Sequence, residues 1–389
     1  MRICHVIPSL DPADGGPPII AERLGAAQAA CGVEVGMLFC DRPEAAERVR
    51  IALDQTPGGD RLQLHPAPQG GRLDRLTGRS AGRRAAELLA GGMDFMHFHG
   101  IWTPMLAATA RQCVATGTPY CICTHGMLDH WSLAQKRLKK QVALRLQWRR
   151  ILNSAAFIHC GNQYEADLMA PLGITAPVEI IPNGIFLEEF EDLPAPGTFR
   201  AGRPELGDDP YVLFLSRLHY KKGLDLLAPA FARALKAVPQ ARLVVAGPDD
   251  GARAPFERQT QDLRIADRVH VIGPIYGDEK LAALQDAACF CLPSRQEGFS
   301  IAITEALACS KACVVTTDCH YPEVGEGAGR LTSLDPAQIG DALAEVLADP
   351  QLARRMGAAG GALVRERFTW PRIAEQALKA YERARERRT

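Results

Sequence analysis

The chain lacks a net charge: 45 Lys and Arg balance 45 Asp and Glu over 389 residues. No overall field therefore draws it to nucleic acid, and any charged surface must be local. It lacks a Cys-x-x-Cys motif although it holds 12 cysteines. Cys121/Cys123 and Cys289/Cys291 alternate as strand side chains do, which suits small buried hydrophobes in a reducing compartment rather than zinc ligands. No apolar run approaches the length of a membrane span, and Met1-Arg2-Ile3-Cys4-His5-Val6-Ile7-Pro8 is too brief for a signal peptide and reads as a first strand. A cytoplasmic protein is expected, with room for a peripheral contact on the cytoplasmic membrane face. Internal repeats, low-complexity tracts and an Asp-x-Asp pair for gripping a divalent cation are also missing. No metal site and no resident cofactor are expected.

What is present is an ordinary balance of 47% hydrophobic and 23% charged residues, in a chain long enough for two or three domains. Short apolar runs alternate with helical patterns: Ile3 to Ile7, a helix from about Pro18 to Ala30, Val33 to Phe39, then Phe95 to His99, Tyr120 to Thr124 and Phe157 to Cys160. The stretch from Glu188 to Pro210 breaks the pattern with four prolines and three glycines and reads as a linker. A second series follows at Tyr211 to Leu215, a helix near Gly223 to Val238, Arg242 to Ala246, Val269 to Ile272, Cys289 to Leu292 and Ala312 to Thr316. The pattern predicts an α/β protein of two Rossmann-like, doubly wound domains facing each other across a cleft. Residues 1–190 form the first, 191–210 the linker and 211–368 the second. A closing helix spans 369–389, read from Trp370 to Arg388, with Pro371 tolerated in its first turn.

The most informative residues are Glu297 and Glu305, which bracket the passage from a buried strand into an apolar helix. Gly298, Phe299 and Ser300 between them are expected to begin that helix, so their backbone N–H groups make an anion site at the positive end of its dipole. Glu305 is placed to accept hydrogen bonds from sugar hydroxyls. Equally, Glu297 alone is consistent with a solvated loop acid and Glu305 with a polar helix face. After the first strand of the second half, Arg217 and Lys222 lie at one strand end beside Gly223. Two such cations suit a diphosphate, Arg by a forked contact and Lys as a compact charge, and they take over the neutralising work of an absent metal.

In the first half, Asp14-Gly15-Gly16-Pro17-Pro18 follows the opening strand, and Gly15 and Gly16 are expected to bring backbone N–H groups close to a phosphate or sugar. His97, His99 and His125 fall at predicted strand ends. A His before Gly at such an end is placed to donate a hydrogen bond into a cleft, which favours His125, then His99; His97 also fits a satisfied core residue. From Lys136 to Arg150 seven basic residues occur without an acid, and Leu138, Val142 and Leu146 recur every fourth position. This amphipathic basic helix suits an anionic membrane face, a phosphorylated acceptor or a solvated surface.

Together these residues resemble the retaining GT-B glycosyltransferases of family 4. The resemblance runs through the Gly15-Gly16 loop, His125, Ile181-Pro182-Asn183-Gly184-Ile185, Ser216-Arg217 with Lys222-Gly223, Val244-Val245-Ala246-Gly247-Pro248, Glu297 through Glu305, and Phe368-Thr369-Trp370. It implies a metal-independent hexosyltransferase whose co-substrate is a nucleoside diphosphate sugar. Arg217 and Lys222 would lie on the diphosphate, Glu305 on the ribose, Glu297 and His125 by the donor sugar, and Gly298, Phe299 and Ser300 near sugar and phosphate. His99-Gly100-Ile101-Trp102 suggests an acceptor side carrying His99 and Trp102, for a saccharide or lipid-linked acceptor in cell-surface or exopolysaccharide assembly. Two departures stand out. Pro229 interrupts the helix after Lys222, and Cys160 to Glu165 replaces a stretch that usually carries Ser and Glu. A catalytically silent sugar-nucleotide binder and a sugar-nucleotide epimerase are the alternatives on this architecture.

Overall fold

The computed structural model describes residues 1–387, which fall into two units: Met1–Asn183 joined by the segment from Trp370, and Gly184–Thr369. The first unit is built on seven parallel strands: β1 (Arg2–Val6), β2 (Glu34–Cys40), β3 (Gln63–Ala67), β4 (Phe95–His99), β5 (Tyr120–Cys123), β6 (Phe157–Cys160) and β7 (Val178–Ile180). Their order, β3-β2-β1-β4-β5-β6-β7, reverses between β1 and β4. Such a reversal opens a crevice at the strand carboxyl ends, because the flanking connections leave in opposite directions. The central strands β4, β5 and β6 are buried along their whole length, and the polar side chains they carry are histidines.

The closing helix Trp370–Glu386 belongs to this first unit; the expected end at Arg388 lies outside the described residues. It packs on the helix Gly16–Ala30, burying Ile373, Ala374, Ala377, Ala380, Tyr381 and Ala384 at three- and four-residue spacing.

The second unit repeats the plan with β8 (Tyr211–Leu215), β9 (Arg242–Ala246), β10 (Val269–Gly273), β11 (Cys289–Leu292), β12 (Ala312–Thr316) and β13 (Gly329–Thr332), in the order β10-β9-β8-β11-β12-β13. The stretch 191–210, read from sequence as a linker, is instead built into this unit. Phe199 and Leu206 sit in its core, and the Asp286 carboxylate accepts the N–H groups of Gly197, Phe199 and Arg200 at 2.6, 2.9 and 3.2 Å. Pro229 neither ends nor delays the helix Leu224–Ala234. Its missing N–H would orphan the Asp225 carbonyl four residues back, and the Gln259 amide donates to that carbonyl at 3.0 Å.

Candidate active site

In the second unit the strand order reverses between β8 and β11, so the loops leaving these two strands, 216–223 and 293–300, are neighbours. They are fastened together along their length. The Arg295 amide and the Ser294 hydroxyl donate to the Lys221 carbonyl at 2.7 and 3.0 Å, and the Lys221 ammonium donates to the Gln296 side chain at 2.9 Å. Arg295 grips Asp225 with two bonds and lies 4.3 Å over the Tyr220 ring. Gly223, at φ +72°, is where the loops press closest: a Cβ there would overlap the Pro293 carbonyl.

This clamp brings Lys222 to Glu297. The ammonium contacts both carboxylate oxygens, at 2.7 and 2.9 Å, with the two side chains 16% and 9% exposed. An ammonium has three donors, so the pair leaves Lys222 one for a ligand. The helix after Glu297 begins at Ile301, with Ser300 as an N-cap that makes no side-chain cap bond. The expected start at Gly298 to Ser300 is therefore corrected by three residues: the Glu297 N–H is bonded to the Asp318 carbonyl and Ser300 is still extended, so helical backbone begins only at Ile301. The amides without intrahelical partners are those of Ile301, Ala302 and Ile303. Phe299 packs its ring on Tyr321 and Phe368, 5.1 and 5.7 Å between centroids. Glu305 is engaged by Lys280 at 2.7 Å, a partner that no local pattern in the sequence announces. Arg217 is 65% exposed and bonded to Asp250 at 2.7 Å.

In the first unit Gly16 opens the helix, but the Gly15 N–H is bonded to the Pro12 carbonyl, so of the two expected open amides Gly15 drops out. His125 sits past the end of β5 with φ +49°, a left-handed conformation unusual for a residue with a Cβ. The turn is held from below by Glu165, a buried carboxylate that accepts the N–H groups of Gly161, at 2.7 Å, and Gly126; burial pushes its pKa up. Glu165 belongs to the stretch flagged as a departure, and here it supports the turn that carries His125. His99 is fully buried behind His125, Nδ1 to Nε2 at 3.0 Å, and its other nitrogen meets His5 at 2.8 Å. With both nitrogens occupied it cannot contact an acceptor directly, which corrects the acceptor-side reading. Trp102, also left-handed at φ +75°, packs edge-on against Trp148 with Lys140 5.7 Å from its ring, and its indole N–H is buried with no hydrogen-bond partner among the described residues. Sequence reasoning missed His5, His159, Gln28 and Tyr381, which join the same hydrogen-bonded row; four histidines on neighbouring strands were the available signal, since His is seldom fully buried.

Two family profiles match the chain in tandem: "Glycosyl transferase 4-like domain" over residues 15–184 and "Glycosyl transferases group 1" over 198–362. This chain belongs to the group 1 glycosyltransferases, on the GT-B fold. It is 27% identical over 369 residues to a GDP-mannose-dependent alpha-(1-6)-phosphatidylinositol monomannoside mannosyltransferase of Mycobacterium tuberculosis, covering 90% of this chain and 93% of that one. It is 26% identical to a GDP-mannose:cellobiosyl-diphosphopolyprenol alpha-mannosyltransferase of Xanthomonas oryzae, over 79% of this chain and 76% of the relative. Among solved structures, Anabaena Alr3699/HepE in complex with UDP and glucose has the same fold, with a TM-score of 0.76 at 19% identity over 98% of this chain and 100% of that one.

One surface of this glycosyltransferase departs from what a folded core requires. The basic stretch forms a helix from Arg137 to Asn153 with one π turn at Leu144–Trp148. Leu144, Trp148, Ile151 and Leu152 face the core, while Leu138, Val142 and Leu146 are 79%, 55% and 81% exposed. Trp131 stands exposed just before it. Among the described residues no helix is long and apolar enough to cross a membrane.

Proposed function

We propose that this glycosyltransferase moves a sugar from a nucleoside diphosphate sugar to a hydroxyl of a lipid-linked or saccharide acceptor in cell-surface glycan assembly, with retention at the anomeric carbon and without a metal. GDP-mannose is the donor to test first, because the relatives named above use it. The Lys222–Glu297 pair carries the reading. It sets a cation with a donor to spare at the strand-order reversal, beside the open amides of Ile301 to Ile303 and close in sequence to Arg217.

Glu297 is engaged by Lys222 and therefore acts beside the sugar as a charge partner, not as a free nucleophile. The acceptor oxygen then attacks the face from which the diphosphate departs. The bond from the anomeric carbon to the phosphate oxygen breaks, the bond to the acceptor oxygen forms, and the departing phosphate oxygen takes the acceptor's proton. Lys222, Arg217 and the helix start stabilise the charge that builds on the diphosphate, which supports metal independence. Glu305, oriented by Lys280, accepts from the ribose. Gly16, Gly298 and Ser300 supply close backbone approach, and His125 meets the donor sugar. Trp102, with Lys140 beside its ring, shapes the acceptor side rather than donating to it, since its indole N–H is buried. The exposed Leu138, Val142 and Leu146 with their basic neighbours suit an anionic membrane that presents such an acceptor.

The deciding experiment screens nucleotide sugars for thermal stabilisation, then measures transfer in EDTA with product anomers read by NMR. Stabilisation by one donor, undiminished turnover in EDTA and an α-linked product from an α-configured donor are expected. An inverted product or a strict metal requirement would refute the mechanism.

A further inference from the structure

The buried histidines of the first unit form a row whose hydrogen bonds can be assigned one at a time. They lie on one sheet face, with His5 beside His97 and Cys123 beside His159 in register. The Ile181 carbonyl can only accept, so His159 gives it the Nε2–H at 2.7 Å. A neutral His159 is then a bare acceptor at Nδ1, and His97 must supply its own Nε2–H across 3.1 Å. That leaves His97 Nδ1 bare, so the Tyr381 hydroxyl donates to it at 2.7 Å. Tyr381, its proton committed, accepts from the Gln28 amide nitrogen at 3.0 Å, which turns the Gln28 oxygen to His5 Nε2–H at 2.7 Å. His5 Nδ1 then receives the Nε2–H of His99 at 2.8 Å, and His99 Nδ1 receives that of His125 at 3.0 Å.

Each step requires neutral rings. Burial provides them: desolvation lowers His5 and His159 to about 4 and His125 to about 3, and pushes His97 and His99 well below the ordinary value. The same assignment removes a metal reading of the cluster. His5, His97 and His99 bring ring nitrogens within 4.8 Å of one another, but every lone pair a metal would need already accepts a proton from His99, Tyr381 or His125.

We propose that the Ile181 carbonyl, acting through this row, locks His125 as its Nε2–H tautomer and so makes it an acceptor-only contact, at Nδ1, for a hydroxyl of the donor sugar. This rests on the reading above that His125 meets the donor. It reverses the expectation of His125 as a hydrogen-bond donor. The atom facing Nδ1 within the protein is the Cys123 sulfur at 3.7 Å, a weak partner that a hydroxyl can replace. A phosphate oxygen or a carbonyl brings no hydrogen and is excluded from that position. His99, His5, Gln28, Tyr381, His97 and His159 are positioning residues.

Imidazole ¹⁵N spectra of the full chain at neutral pH test this directly. All five rings of the row are expected as Nε2–H, with the His125 Nδ1 signal moving when the accepted sugar nucleotide binds. Tyr381→Phe removes both the donor to His97 and the acceptor for Gln28. It is expected to turn His125 into a mixture of tautomers and to lower kcat/KM for the donor by roughly three- to tenfold, the worth of one hydrogen bond. An Nδ1–H signal at His125 in the unaltered protein would overturn the proposal, and that spectrum decides the matter even where the variant folds poorly. An unchanged His125 signal in a folded Tyr381→Phe chain would overturn it as well. Should the transferase reading be the part that fails, the five Nε2–H signals persist while no sugar nucleotide moves any of them.

Discussion

At the scale of single residues, the site is a set of carboxylates each held by a particular cation. Lys222 and Glu297 were legible because each stands in a short segment whose strand, turn and helix could be read locally. Lys280 was not: it stands on another helix, Gly277–Asp286, 25 residues before Glu305, and meets it only in the folded chain. Removing Lys222 should have two separable consequences. Lys222→Ala leaves the Glu297 carboxylate largely buried without its partner, at a cost of about 1–3 kcal/mol, and lowers kcat by roughly 10²–10³, the loss expected for one donor to a developing anion. Adding Glu297→Gln should return most of the stability and none of the activity; melting curves and turnover on the same preparations separate the two. Activity restored along with stability would show that Lys222 serves the fold alone. Arg217→Ala, by contrast, breaks an exposed pair and should change stability by no more than about 0.5 kcal/mol while raising the donor KM about tenfold.

At the scale of elements, the strands that sequence patterning missed, β3, β7 and β13, all lie at sheet edges, and of the four edge strands only β10 was found. An edge strand packs on fewer neighbours and needs less apolar sequence; β3 even carries Pro66, which has no N–H to give a further strand. The basic helix shows a different limit. Leu138, Val142 and Leu146 repeat at helical spacing just as the residues that truly face the core do, Leu144, Trp148 and Ile151, so period alone cannot say which row is buried. Once the core row is known, the other becomes an apolar stripe bordered by Lys139, Arg145 and Arg150. Sedimentation with vesicles should show binding to anionic and not to zwitterionic lipid, weakening in salt. Leu138→Ser with Leu146→Ser should reduce it by at least tenfold, since two exposed leucines together contribute about 3 kcal/mol on insertion, without changing transfer to a soluble acceptor analogue. Equal binding to neutral vesicles would contradict the electrostatic part of this reading.

At the scale of the whole molecule, the histidine row is the feature least visible in the sequence, because its members lie on β1, β4 and β6 and meet only through the strand order. It also makes the first unit sensitive to acid. Unfolded histidine titrates near its ordinary value of 6.5, whereas burial holds His5 and His159 at about 4 and His97 and His99 well below 6.5. The unfolded chain therefore binds more protons below pH 6.5, and the stability these rings support is complete above that value and lost as pH falls toward 4. His125 is held at about 3; each of the five rings contributes about 1.4 kcal/mol per pH unit in that window, so together they lose roughly 7 kcal/mol per unit, which is enough to unfold an ordinary domain by about pH 5. The second unit has no such row: its His270 and His320 are half-buried and only modestly lowered. Calorimetry between pH 8 and pH 5 should thus resolve two transitions, one falling steeply with acid and the other nearly fixed. His159→Gln should flatten the steep one by about a fifth, one ring's share of the proton uptake. Two transitions that fall in parallel, or a first unit still folded at about pH 4, would mean that these rings take up protons without unfolding.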